Sequence, residues 1–302
     1  MKTRYKLALG TASIALGFGV IQAKPAQAAT LSGPVYIYAA ASLTDTLPQV
    51  EELYRQSNPN VTFINTFGAS GALATQILAG TNPNPVDIFF SVSQAPLDRL
   101  QSANKLIPET RQNLLNNTLA IITPINSTLS ISSVQDLLQP QVGQVAIGDP
   151  ASVPAGVFAQ QLFANSGISG KLSLVLGTDV RDVLNKVSSD TTDNIGAGVV
   201  YTTDALTALD KVKIAYTPPT NLYSPIVYGS AVLRQTQNPD AARDFNSFLG
   251  SSQALGVFQV SGFSPIPEPM TTGGSIAVGI VGLMMKRKVA GKAKVKTKAA
   301  VD

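Results

Sequence analysis

Between Val35 and Phe263, short apolar runs alternate with segments whose apolar positions recur every three or four residues. Val35–Ala39, Val61–Asn65, Asp87–Ser91, Leu119–Thr123, Val145–Gly148, Leu172–Leu176 and Ile195–Val200 have the length and side-chain pattern of strands. Several are apolar almost throughout, which predicts strands covered on both faces of a parallel sheet. Between them, Leu43, Leu47, Val50 and Tyr54 mark one face of a helix. Leu73 and Ile77 mark a second, with Gly80 as its C-cap. Phe158 and Leu162 belong to a third, and Val180, Val183, Leu184 and Val187 share one face of a fourth. Strand and helix in alternation predict an α/β fold with helices on both sheet faces. Phe67, Phe89 and Phe90 are expected in the core. No Gly/Ser-rich or Pro-rich hinge interrupts this body, so any second lobe must be reached through short strands.

The two ends break the pattern. Lys2, Arg4 and Lys6 precede an apolar or small stretch from Leu7 to Ile21, and Ala26-Gln27-Ala28 offers a cleavage site. This reads as an export signal over residues 1–28, with a mature start at Ala29. Past Phe263, Pro265, Pro267 and Pro269 bracket Glu268. A Gly-rich apolar run over Gly273–Met285 follows, then Lys286-Arg287-Lys288 and a Lys/Ala-rich remainder. The excess of positive charge lies in these ends. The chain has 22 basic and 18 acidic residues, but the body between the ends is mildly acidic, so no nucleic-acid partner is expected.

The 302-residue chain contains no Cys and no His. Disulfides are excluded, and so are the commonest general base and metal ligand. Ser70, in Gly68-Ala69-Ser70-Gly71-Ala72, falls one residue short of a nucleophile elbow and has no His to activate it. Ser102-Ala103-Asn104-Lys105 matches S-x-x-K without its supporting motifs and reads as a surface loop. Asp190 and Asp193 sit in the polar stretch Ser188–Asn194. A hydrolase using Ser42 or Ser70 is the rival reading from another class. The expectation is no catalytic residue, no metal and no cofactor.

What remains is a set of strand-to-helix junctions carrying small or hydroxyl residues. They are Ala40-Ala41-Ser42-Leu43, Phe67-Gly68-Ala69-Ser70-Gly71, Val153-Pro154-Ala155-Gly156 and Gly177-Thr178-Asp179-Val180. Asp45, three residues after Ser42, suggests a capping box. Any one junction needs no more than a helix cap to explain it. Several converging at the carboxyl ends of strands would aim unpaired N–H groups and helix dipoles at one point, making an anion site without Lys or Arg. Tyr201, ending the strand that begins at Ile195, would add a phenol donor.

At these residues the chain resembles the periplasmic molybdate-binding proteins of molybdate ABC transporters. The matching segments are Ala39–Leu43, Phe67–Ala74, Pro85–Ser91, Gly148–Pro150, Val153–Gly156, Asp179–Arg181 and Val200–Tyr201, in order along residues 33–263. The resemblance implies a type II periplasmic binding protein fold, two α/β lobes closing on a ligand cleft. The lobe divisions it suggests are 29–118, 119–225 and a return segment 226–264, with a tail at 265–302. It places the oxyanion contacts on Ser42 and Ser70 (hydroxyl and N–H), Ala155 and Val180 (N–H), and Tyr201 (phenol). The implied ligand is molybdate, with tungstate beside it, and the implied partner is an ABC permease served by a monomer. Gly71 and Ala72 depart from the pattern, standing where some relatives carry further hydroxyls. Sulfate is the alternative ligand, being also fully deprotonated. The tail resembles a PEP-CTERM sorting signal, which implies sorting machinery and an exported protein, either periplasmic or tethered to a membrane or cell surface. That tail also leaves open a surface-anchored binding protein without a transport role.

Overall fold

A computed structural model describes residues 30–189 and 194–266. The expected signal segment, Asp190, Asp193 and the sorting-like tail from Pro267 onward lie outside the described residues. The strands are β1 (Gly33–Ala40), β2 (Val61–Gly68), β3 (Ile88–Ser91), β4 (Gln112–Asn117), β5 (Leu119–Pro124), β6 (Gln144–Gly148), β7 (Ser173–Gly177), β8 (Ala197–Tyr201), β9 (Val212–Tyr216), β10 (Ile226–Val232) and β11 (Ser264–Pro265). The α-helices are α1 (Leu47–Arg55), α2 (Ser70–Ala79), α3 (Gln94–Ser102), α4 (Pro154–Asn165), α5 (Val180–Ser189), α6 (Thr202–Leu206), α7 (Pro239–Phe248) and α8 (Ser252–Val260).

The strands form two sheets, one per lobe. The first has the order β11-β4-β10-β3-β1-β2 and the second β7-β6-β8-β5-β9. The chain enters the second lobe through Thr118, the single residue between β4 and β5, and has returned by β10. A crossing that short leaves no trace in composition, which explains the absence of a visible linker. Both sheets are mixed, not parallel throughout as the apolar runs suggest. β2, β1 and β3 run parallel, as do β7, β6 and β8, but β10 and β5 join antiparallel. The antiparallel strands are those beside the crossing, where the chain reverses to change lobes.

Alternation along each central strand explains the coverage of both faces. In β1, Ile37 and Ala39 face the core holding Leu47, Val50, Tyr54 and Phe245 of α1 and α7. Tyr38 faces the opposite way, with Leu73, Ile77, Leu97 and Leu100 of α2 and α3. Phe90 and Phe89 divide in the same manner, and Phe67 is half-buried against the first cluster. In the second lobe the α5 stripe Val180, Val183, Leu184 and Val187 is buried, as its period requires. Gly80 caps α2 in the left-handed conformation at φ 67°, which a glycine adopts without strain. The edge strand β7 leaves Leu174 and Leu176 exposed, so Leu172–Leu176 is not a doubly covered strand.

Candidate oxyanion site

Six strands, three from each lobe, end around one point. β1 delivers Ala40–Ser42, β2 delivers Gly68–Ser70 and β3 delivers Val92. From the other lobe come Val153 and Pro154 after β6, Asp179 and Val180 after β7, and Tyr201 at the end of β8. Together they line a cavity of about 200 Å³ including its mouth, below the usual range for an organic ligand. Of the residues marked in the sequence, Ser42, Ser70, Val180 and Tyr201 line this cavity. Ala155 is wholly buried one residue beyond the lining Pro154.

Each junction is built to leave donors free. α2 and α4 open without any side-chain cap on the first turn, behind Ala69 and Val153. An uncapped start leaves the first N–H groups of a helix without intrahelical partners. At α5, Asp179 accepts from the N–H groups of Arg181 (2.8 Å) and Asp182 (2.9 Å). Its carboxylate thereby satisfies those two donors and leaves that of Val180 unclaimed by the cap. The close approach of α4 to β6 requires Gly156, because a Cβ there would fall 1.9 Å from the Gly148 carbonyl oxygen.

The hydroxyls are held from behind. The N–H of Val92 donates to Ser70 Oγ at 3.2 Å, and Ser42 Oγ lies 2.7 Å from the Tyr228 hydroxyl. The expected capping box at Ser42 does not form. Ser42 lies in a short 3-10 turn, α1 starts only at Leu47, and Asp45 turns instead to Arg181. The Tyr201 hydroxyl is wholly buried and has no hydrogen-bond partner among the described residues. Burial, with Tyr228 and Asp204 nearby, raises its pKa well above that of a free phenol, so it remains a donor. A buried donor without a partner is costly, and rare unless a ligand completes it.

Arg181 does not line this cavity, although it follows Val180. Its Nη2 pairs with Asp45 of the first lobe at 2.5 Å, and its Nη1 donates to Thr207 at 3.0 Å. Its Nε forms an ion pair with Asp204 Oδ1 at 2.7 Å. Burial raises the Asp204 carboxyl to about 7, against the pull of Arg181. The guanidinium thus lies between a carboxyl group of each lobe and clasps the lobes together. Asp45→Ala removes the partly exposed arm of this clasp and leaves Asp204 paired. We expect a several-fold faster ligand dissociation in stopped flow, with little change in melting temperature.

Lobe closure also explains Gly71. A Cβ at this position would sit 2.4 Å from the Ser152 carbonyl oxygen of the opposite lobe. Among the described residues no cluster of acidic side chains could hold a metal, and no helix is long and apolar enough to cross a membrane.

The sequence pattern of bacterial extracellular solute-binding proteins matches residues 35–264. The chain belongs to that family. Members of this family are extracellular solute-binding proteins. Among relatives of this solute-binding protein, the molybdate-binding protein ModA of Haemophilus influenzae is 32% identical over 238 residues, covering 77% of this chain and 91% of the relative. Two solved structures share the two-lobed type II fold. The periplasmic molybdate-binding protein of Azotobacter vinelandii has a TM-score of 0.68 at 22% identity, covering 78% of this chain and 100% of that one. The sulfate-binding protein SubI of Mycobacterium tuberculosis also has a TM-score of 0.68, at 18% identity, covering 78% and 88%.

Sequence reasoning missed Tyr228, Asn117, Val92 and the Asp45–Arg181–Asp204 clasp. Tyr228 and Asn117 lie on β10 and β4, which the apolar pattern did not mark. Ile226–Val232 is an apolar run with Gly229 in it, and that was the available signal.

Proposed function

We propose that this solute-binding protein captures molybdate, and tungstate with it, and delivers it to an ABC permease. The observation carrying this reading is the orphaned, fully buried Tyr201 hydroxyl facing the same small cavity as Ser42, Ser70 and the start of α5. Such a cavity offers donors and dipoles but no cationic side chain, which suits an anion whose oxygens are all acceptors. The ligand contacts in this reading are the hydroxyls of Ser42, Ser70 and Tyr201 and the N–H groups of Ser42, Ser70, Ala155 and Val180. Relatives named as molybdate-binding support molybdate, while the SubI likeness keeps sulfate as the second reading. The lobe divisions at 118/119 and 225/226, a monomeric state and export to the periplasm or a tethered surface site belong to the same proposal.

Isothermal titration of the full chain with molybdate, tungstate, sulfate and hydrogen phosphate tests it. Molybdate and tungstate should bind with comparable affinity, sulfate more weakly, and hydrogen phosphate weakest because none of the five proposed contacts offers an acceptor for its proton. Sulfate binding more tightly than molybdate would overturn the assignment in favour of the second reading.

A further inference from the structure

Ser42 is effective toward an acceptor-only ion only if its proton points into the cavity. Hydroxyl rotors are free to reverse, so something must set the direction. The chain of contacts behind Ser42 does so. The N–H of Thr118 donates to Asn117 Oδ1 at 2.9 Å, which fixes the amide with its nitrogen on the other side. Asn117 Nδ2 then donates to Thr203 Oγ1 at 2.9 Å and to the Tyr228 hydroxyl oxygen at 3.2 Å. An amide nitrogen cannot accept, so the Tyr228 oxygen is the acceptor there. Among the described residues, its hydroxyl has Ser42 Oγ as its one other partner. Tyr228 is wholly buried, so its proton must go to Ser42 or lose its bond at the full desolvation cost. Ser42 therefore accepts from behind and keeps its own proton for the cavity.

We propose that Asn117 and Tyr228 are positioning residues that lock Ser42 as a donor and so select fully deprotonated oxyanions over protonated ones. This rests on reading the cavity as an oxyanion site. Two features of the fold hold the relay in place. The pairing of β10 with β4 shifts register between Tyr228 and Gly229, an irregularity of the kind that re-aims a side chain beside a site. Asn117 ends β4 at the lobe crossing and bonds Thr203 of the second lobe, so closed lobes brace the amide from both sides. Ser70 is set the same way by the Val92 backbone N–H, so both serines accept from the protein and donate to the ligand.

The test compares Tyr228→Phe and Asn117→Asp with the native chain by titration at mildly alkaline pH. Molybdate, sulfate and hydrogen phosphate are then all dianions, so a general change in field cancels in the ratio of their affinities. Tyr228→Phe frees the Ser42 rotor, and the preference for molybdate over hydrogen phosphate should fall about tenfold. In Asn117→Asp the introduced carboxylate accepts from Tyr228, which reverses the relay and turns a lone pair of Ser42 into the cavity. That preference should then fall by on the order of a hundredfold. Affinities for all three ions falling by one common factor, with the ratios at their native values, would overturn the proposal. If Asn117→Asp does not fold, the Tyr228→Phe ratio decides alone. If the native chain prefers sulfate to molybdate, the ligand reading falls, and the relay is judged by the sulfate-to-phosphate ratio under the same criteria. A native chain that binds no oxyanion overturns both.

Discussion

Gly71→Val should reduce molybdate affinity by about a thousandfold while leaving the lobes folded. The added Cβ would lie 2.4 Å from the Ser152 carbonyl oxygen, a backbone atom that cannot rotate aside. Relief comes from parting the lobes, since neither lobe needs the other at this point. Gly71 lies in α2 outside the left-handed region, so its own backbone accepts a side chain. Parting the lobes withdraws Val180 and Tyr201 from an ion seated on Ser42 and Ser70. Hydrogen bonds to a charged group contribute about 1.5–3 kcal/mol each, and losing two gives the stated magnitude. The check is titration calorimetry beside small-angle scattering, which should show the variant failing to compact on adding molybdate. Native-like affinity in Gly71→Val would mean the lobes need not close to bind.

The second large effect belongs to the serines. Ser42→Ala and Ser70→Ala should each weaken molybdate binding by about tenfold to a hundredfold, and the double variant by roughly a thousandfold. Unlike Gly71→Val, these variants also lose stability. Ser42→Ala leaves the buried Tyr228 proton without its acceptor, and Ser70→Ala strands the Val92 N–H. Each orphan costs about 1–3 kcal/mol, readable as a lower melting temperature without ligand. A double variant that binds like the native chain would remove the hydroxyls from the site altogether.

Much of the fold could be read from the order of residues because the central strands and helices obey simple periods. All seven strands expected from apolar runs are present, and α2, α4 and α5 start at the junctions where small residues and Pro154 placed them. Of the strands that escaped notice, β4 is polar, β11 is two residues long and β10 is broken by Gly229, so tertiary pairing makes them, whereas β9 is an apolar run interrupted only by Lys213. The same division runs through the site. Ser42, Ser70, Val180 and Tyr201 announce themselves at strand ends, where chemistry and chain position coincide. Asp45 and Arg181 lie far apart along the chain and meet only through lobe closure, and local spacing near Ser42 suggested a capping role for Asp45 instead. Gly71 read as a missing hydroxyl, and its reason is steric: the opposing backbone of Ser152 leaves no space for any side chain.

The most direct test of an oxyanion site without a cationic side chain is anomalous diffraction at the molybdenum edge from crystals grown with molybdate. A single peak should lie between the lobes, with oxyanion oxygens at roughly 3 Å from the Ser42, Ser70 and Tyr201 hydroxyls and no Lys or Arg in contact. A peak on Arg181, Arg99 or another cationic side chain, with the cavity behind Tyr201 free of density, would contradict it.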